Sequence, residues 1–207
     1  MRNCLKQFLT LLCCLTGCSQ INNSPTVIRN WAVYYSTALP ASAFEGLDLV
    51  VFDRRYHPDF KTLQPRTKVL AYVSMGEIYD DVSEKDDLAR DNLLLFKNEK
   101  WNSHAVDLTS GRWQRMIKFY VEDAISRGFD GVMLDTVDSP LYWAKQENPI
   151  RYQAMQVAAR NIIRDIRAQH PDKKIMLNHG LSILEQVAPD LDYALAESIL
   201  THKDDFT

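Results

Sequence analysis

The stretch Gly128-Phe129-Asp130-Gly131-Val132-Met133-Leu134-Asp135 decides the fold. Gly128 ends a helix as a C-terminal cap, and an apolar run then stops at a carboxylate. Four other segments repeat that ending: Val50-Val51-Phe52-Asp53, Tyr72-Val73-Ser74-Met75-Gly76-Glu77, Met176-Leu177-Asn178 and Ala194-Leu195-Ala196-Glu197. Working outward, six strands are predicted, at Trp31 to Ser36, Leu47 to Asp53, Lys68 to Glu77, Gly131 to Val137, Lys174 to Asn178 and Tyr193 to Ser198. Longer helix-period segments separate them. From Gly111 to Arg127, Trp113, Met116, Ile117, Tyr120, Val121, Ala124 and Ile125 recur at the three-and-four spacing of one helical face. From Arg151 to Gln169, Met155, Ala158, Ala159, Ile162, Ile163 and Ile166 do the same, with Pro171 just beyond. The charged stretch Glu84 to Asp91 reads as a solvated helix face.

Strands alternating with helices make a parallel α/β sheet. In a parallel barrel every strand's C-terminal end opens on one face, so Asp53, Glu77, Asp135, Asn178 and Glu197 would meet in a single cleft. A doubly wound sheet also gathers ligands at strand C-termini, but it commonly carries a glycine-rich first turn for a nucleotide, and this chain has none. The expectation is therefore a (β/α)8 TIM-barrel type, C-terminally truncated to about six βα units. The body from residue 31 to 207 is shorter than the about 250 residues of a typical complete barrel. The first and sixth strands are expected as unpaired edges.

Several acids without clustered cysteine or histidine suit glycosidic hydrolysis or metal binding. Hydrolysis needs one carboxyl held protonated for the leaving oxygen and one ionised to attack or to activate water. Divalent metals in barrels usually recruit histidine beside carboxylates, and only His179 stands near a strand end. Ser74, Ser139 and Ser198 lack the glycine-serine-glycine elbow of a nucleophile. No metal and no cofactor is expected. Tyr34, Tyr35, Tyr56, Tyr72, Tyr79, Tyr142 and Trp143 lie on or just after the acid-bearing strands, where each could stack on a sugar or fill the core.

These blocks resemble glycoside hydrolase family 114, the endo-α-1,4-polygalactosaminidase-like group that includes hydrolase domains of Pel-type exopolysaccharide systems. The resemblance is carried by Trp31-Ala32-Val33-Tyr34-Tyr35, Leu70 to Glu77, Val106-Asp107-Leu108 ahead of Trp113, Gly128 to Asp135, Leu177-Asn178 and Ala196-Glu197-Ser198. It implies a barrel that cleaves α-1,4-linked galactosamine or N-acetylgalactosamine exopolysaccharide, with Asp135 and Glu197 as the catalytic pair. It also implies sugar subsites lined by Asp53, Tyr72, Glu77 and Asn178, with Tyr35 among the cleft aromatics. Ammonium groups of a partly deacetylated polymer would pair with Glu77, Asp80, Asp81 or Asp138. Two other readings stay open: a catalytically inactive sugar-binding envelope lipoprotein, and a metal-dependent carbohydrate enzyme.

The N-terminus reads as a targeting signal. Arg2 and Lys6 give positive charge, Phe8 to Leu15 a short apolar run, and Leu15-Thr16-Gly17-Cys18 resembles a bacterial lipobox. Residues 1 to 17 are expected as the lipoprotein signal peptide, residues 18 to 30 as lipidated Cys18 and a polar tether, and residues 31 to 207 as the barrel domain. An acylated Cys18 would hold the protein at the cell envelope, on the outer membrane. The chain is 207 residues long and 46% hydrophobic with a net charge of −3, and it has no Lys/Arg cluster, which excludes a nucleic-acid partner. All four cysteines fall at or before position 18, so the body relies on packing rather than disulfides or thiolate metal sites.

Overall fold

The computed structural model describes residues 27–197. The expected signal peptide, Cys18, most of the tether and the segment from Ser198 onward lie outside the described residues. Six parallel strands run in order of sequence across one sheet: β1 Trp31–Tyr34, β2 Leu49–Asp53, β3 Lys68–Ser74, β7 Gly131–Asp135, β8 Lys174–Asn178 and β9 Tyr193–Leu195. All five pairings are parallel. The order never reverses, so the sheet curls in one direction into a half-barrel, as the sequence predicts. A second sheet of three short antiparallel strands, β4 Glu77–Tyr79, β5 Leu94–Asn98 and β6 Ser103–Val106, follows β3 in the order β4-β6-β5.

Side chains alternate across a strand, so each strand feeds two cores. One parity, including Val50, Phe52, Ala71, Val73, Val132, Leu134, Ile175 and Leu177, packs outward against the helices. The opposite parity, Leu49, Val51, Leu70, Met133 and Met176, forms a smaller cluster inside the curl with Val33, Tyr72, Tyr193 and Leu195. Helix α2, Gly111–Ser126, buries Trp113, Ile117, Val121 and Ala124 on that outer face. Each large apolar side chain so buried stabilises the fold by about 1.5–3 kcal/mol. Ser110 caps its N-terminus by accepting from Trp113 N at 3.4 Å, and Gly128, at φ +98°, turns the chain out of it. Helix α3, Asp138–Glu147, and helix α4, Pro149–Gln169, together cross from β7 to β8. The charged stretch after the first hairpin strand is α1, Lys85–Arg90, which is solvated except at Leu88. The first two crossovers carry only single 3-10 turns, Ala41–Phe44 and Phe60–Thr62, and the last only the short α5, Leu184–Val187, and a 3-10 turn.

The strand expected at Lys68 to Glu77 is two strands in different sheets. Gly76 breaks it, because a Cβ there would lie 2.0 Å from the carbonyl oxygen of Thr136. The chain turns at that close approach, and Glu77 therefore leaves the barrel wall to start the hairpin sheet.

The strand N-termini are stitched by one repeated device. Asp48, Asp130 and Asp192 each stand at the foot of a strand and exchange bonds with the foot of the preceding one. Asp48 Oδ2 accepts from Arg29 N at 2.7 Å, Asp130 Oδ2 from Val69 N at 2.9 Å and Asp192 Oδ2 from Ile175 N at 3.0 Å. The reciprocal backbone bonds are Asp48 N to Asn30 O, Asp130 N to Val69 O and Asp192 N to Ile175 O, at 3.0, 2.8 and 2.8 Å. Burial works to raise the carboxyl pKa of Asp192, but hydrogen bonds from Lys174, Ile175 N and Arg167 outweigh it and hold the group below the usual carboxylate range.

Candidate active site

Strand parity aims one set of side chains into the mouth of the curl. On β7 the inner face runs Met133, Asp135; on β8, Met176, Asn178; on β9, Tyr193, Leu195, with Glu197 two residues on. On β1 the same alternation passes from Val33 to Tyr35, and on β3 from Leu70 to Tyr72. At this C-terminal rim a cavity of about 340 Å³ is lined by Tyr35, Tyr72, Tyr79, Glu77, Asp135, Asn178, His179 and Glu197, along with Asn98, Trp101, Thr136 and Ser139. A volume of this order suits one or a few sugar rings.

Asp135 is half-buried and Glu197 exposed. Asn178 Nδ2 donates to Asp135 Oδ1 at 2.9 Å across the β7–β8 pairing. Thr136, which follows Asp135, has φ +65°, a left-handed conformation uncommon for a β-branched residue. Its hydroxyl accepts from Gly76 N at 2.9 Å and lies 2.8 Å from Ser74 Oγ, so the β3 turn holds that backbone in place. His179, at φ +58°, follows Asn178 in the same way. Non-glycine residues in this region cost free energy and cluster where a site must be shaped.

The three tyrosines form a wall. The rings of Tyr35 and Tyr72 pack edge-on with centroids 5.0 Å apart, and the hydroxyls of Tyr72 and Tyr79 lie 3.2 Å apart. Burial, followed by the charge of Asp135, pushes the phenols of Tyr35 and Tyr72 well above the ordinary tyrosine value, and the charge of Glu197 adds to the effect at Tyr35. Burial likewise raises Tyr79. All three remain neutral hydroxyls beside the carboxyls, able to donate to a ligand oxygen.

Glu77 reaches the cavity from the hairpin sheet. Its carboxyl is 3% exposed and accepts from Asn98 Nδ2 at 3.1 Å, Ser103 Oγ at 2.5 Å and Ser139 Oγ. These bonds tie the hairpin to α3. Asp53 accepts from the backbone N–H groups of Arg55 and Tyr56, both at 2.7 Å, and lines a neighbouring pocket with Arg54, Arg55 and Tyr72. Asp138 does not line the main cavity; its carboxylate accepts from Gly180 N at 2.8 Å and ties α3 to the loop after β8. Asp80 lies just past β4, near Lys85, Lys97 and His104. Of the other aromatics, Tyr34 packs on Phe44 and Trp143 beneath Arg151, while Tyr56 and Tyr142 are exposed outside the main cavity.

Trp101, 62% exposed at the β5–β6 turn, lines the cavity and went unmarked in the sequence because no strand was read there. Asn102, a residue type that tolerates a left-handed turn position, was the sequence signal of this turn, where it takes φ +49°. Ser139 and Thr136 were equally unmarked as cavity residues. Among the described residues, no three His, Cys, Asp or Glu side chains are grouped to hold a metal ion.

A curled parallel sheet with acids, an amide and phenols at its C-terminal rim is the architecture of barrel-type carbohydrate enzymes. The profile of glycoside-hydrolase family GH114 matches residues 16–204, and the chain belongs to that family. The glycoside hydrolase domain of PelA from Pseudomonas aeruginosa superposes with a TM-score of 0.73 at 22% identity, over 84% of this chain and 68% of that domain. Ega3 of Aspergillus fumigatus, solved with galactosamine, superposes at 0.67 with 19% identity over the same shares. An uncharacterized protein of Thermotoga maritima is 24% identical over 89% of this chain, which spans 64% of that relative's length.

Proposed function

We propose that this protein is an endo-acting glycoside hydrolase that cleaves α-1,4-linked galactosamine or N-acetylgalactosamine exopolysaccharide. One observation carries the reading: the side chains of Asp135, at the end of β7, and Glu197, two residues past β9, line one rim cavity walled by neutral phenols. Family membership and the likeness to PelA and Ega3 support it. Asp135, steadied by the amide of Asn178, serves as the carboxylate that attacks or activates water. Glu197 serves as the acid that protonates the leaving oxygen. Tyr35 and Tyr72 supply hydroxyl donors and ring faces to the sugar, and Trp101 offers a stacking surface at the cavity's open side. An amino-sugar polymer suits a cleft whose described lining carries carboxyls and no lysine or arginine. Acylation of Cys18 and attachment to the outer membrane belong to the same proposal. Loss of fatty-acid labelling in Cys18→Ser would support the anchor, and unchanged labelling would remove it.

The deciding experiment is reducing-end release from partly deacetylated α-1,4-galactosaminan, with Asp135→Asn and Glu197→Gln run beside the wild type. The expected result is release by the wild type alone, with both variants folded. Substantial turnover by either variant removes that residue from the pair. Polymer binding without release by the wild type would instead favour a sugar-binding lipoprotein.

A further inference from the structure

We propose that a second, smaller pocket beside the rim cavity receives the acetamido group of an N-acetylgalactosamine unit, with Tyr120 donating to its carbonyl and Val82 packing on its methyl. The inference rests on the galactosamine-polymer reading above and adds to it a place that selects an acetylated unit.

The pocket opens past the end of β2, between Arg54 and Arg55, the hairpin sheet and α2. Tyr72, Glu77 and Tyr79 line both it and the rim cavity, so a single wall of side chains parts the two. Its volume of about 100 Å³ is less than a third of the 340 Å³ of the rim cavity. At about 30 Å³ for a water, it has room for roughly three small groups, enough for an acetamido substituent and too little for a sugar ring. A ligand can reach it: Arg55 and Glu84 are exposed at its mouth, and Val82 and Tyr120 are half-buried. Val73, Ile78 and Trp113, buried behind them, close it off from the core.

The lining selects a neutral, partly apolar group. Arg54 and Arg55 together with Asp53 and Glu84 give the pocket balanced charge, which favours neither an ammonium nor an anion. The rim cavity differs, with carboxyls and no lysine or arginine along its lining. The Arg54 guanidinium lies 4.5 Å from the centroid of the Tyr120 ring and pairs with Asp123, which holds the phenol in place. Burial, then the charge of Glu84, raises the Tyr120 pKa against the opposing charges of Arg54 and Arg55, so its hydroxyl stays protonated. That hydroxyl makes no hydrogen bond with another described residue and is free to donate. A sugar hydroxyl would leave Val82 and the phenol rings facing water. An acetamide brings both an acceptor oxygen for Tyr120 and a methyl for the apolar lining.

The test is an NMR-detected titration of wild type, Val82→Phe and Tyr120→Phe with the methyl α-glycosides of N-acetylgalactosamine and, separately, of galactosamine. Neither probe contains a bond between sugars that an endo-hydrolase could cut. Val82→Phe fills the pocket and is expected to weaken the N-acetyl glycoside by about fivefold or more, the loss of a buried methyl and its hydrogen bond. Tyr120→Phe, which removes only the hydroxyl, is expected to weaken it by about two- to tenfold. Binding of the galactosamine glycoside should change by less than about twofold in either variant, because it has no acetyl group to lose. Equal losses for both glycosides, or none, overturn the acetamido pocket and leave the glycosidase reading standing. Where Val82→Phe does not fold, or the two variants disagree, Tyr120→Phe decides. Wild type that binds only the galactosamine glycoside, or neither, also overturns the pocket, and release from the polymer then judges the glycosidase reading by itself.

Discussion

Replacing Glu77 with alanine tests whether this carboxyl serves the substrate or the scaffold. The side chain is 3% exposed and takes hydrogen bonds from Asn98, Ser103 and Ser139, which belong to β5, β6 and α3. Truncation would strand three donors, of which Ser103 is wholly buried. Leaving a buried donor unpaired costs about 1–3 kcal/mol. Taking the lower end for each gives a loss of about 3 kcal/mol. For a domain of this size each kcal/mol corresponds to about 2–4 °C in Tm, so the expected drop is about 6–12 °C. The assay is thermal unfolding of wild type and Glu77→Ala followed by circular dichroism, with sugar binding measured well below both midpoints. Because the hairpin carries Trp101, binding should weaken in step with the loosened hairpin. A variant with the wild-type Tm and abolished binding would refute the reasoning, for Glu77 would then be a ligand contact with little structural role.

Other consequences can be checked separately. Gly76→Ala places a Cβ 2.0 Å from the Thr136 carbonyl and is expected to cost at least about 3 kcal/mol, read as a lower urea midpoint. Trp101→Ala should raise KM for the polymer by about two- to tenfold with kcat nearly unchanged, the signature of lost stacking in ground and transition state alike. Tyr35 and Tyr72 have raised pKa values in the fold, so above about pH 10, where unfolded tyrosines ionise, the native state binds more protons than the unfolded one. Stability should therefore fall as pH rises beyond that point, and Tyr72→Phe should flatten the decline in an alkaline unfolding series.

The six parallel strands were legible because each couples an apolar run to a polar ending, and periodicity does not depend on distant contacts. Asp135, Asn178 and Glu197 could be placed on one rim for the same reason, since parity along a strand carries a side chain's face with it. The hairpin sheet was not legible. Its strands are three to five residues long, and Glu77 stands where the preceding strand's pattern would continue. Only the tertiary approach of Gly76 to Thr136 ends that strand. Asp138 illustrates a second limit: it was expected as a partner for substrate ammonium groups, whereas its carboxylate accepts from Gly180 N, 42 residues away. The aspartates at the strand feet do carry a sequence signal, since Asp48, Asp130 and Asp192 each precede a strand.

Those foot aspartates make the wall behave like a chain of links. Each joins its strand to the preceding one through its carboxylate and backbone N–H, and the carbonyls of Asp48 and Asp130 also accept from Lys68 N and Lys174 N at the foot of the next strand. Cohesion along the described strands is then a sum of neighbour-to-neighbour terms, as in repeat proteins. Amide hydrogen exchange should accordingly be slowest in β3 and β7, the two central strands of the six, and should quicken stepwise toward β1 and β9. The rim residues Tyr72 of β3 and Asp135 of β7 thus sit over the most slowly opening part of the wall, while Tyr35 and Glu197 stand over its two yielding ends.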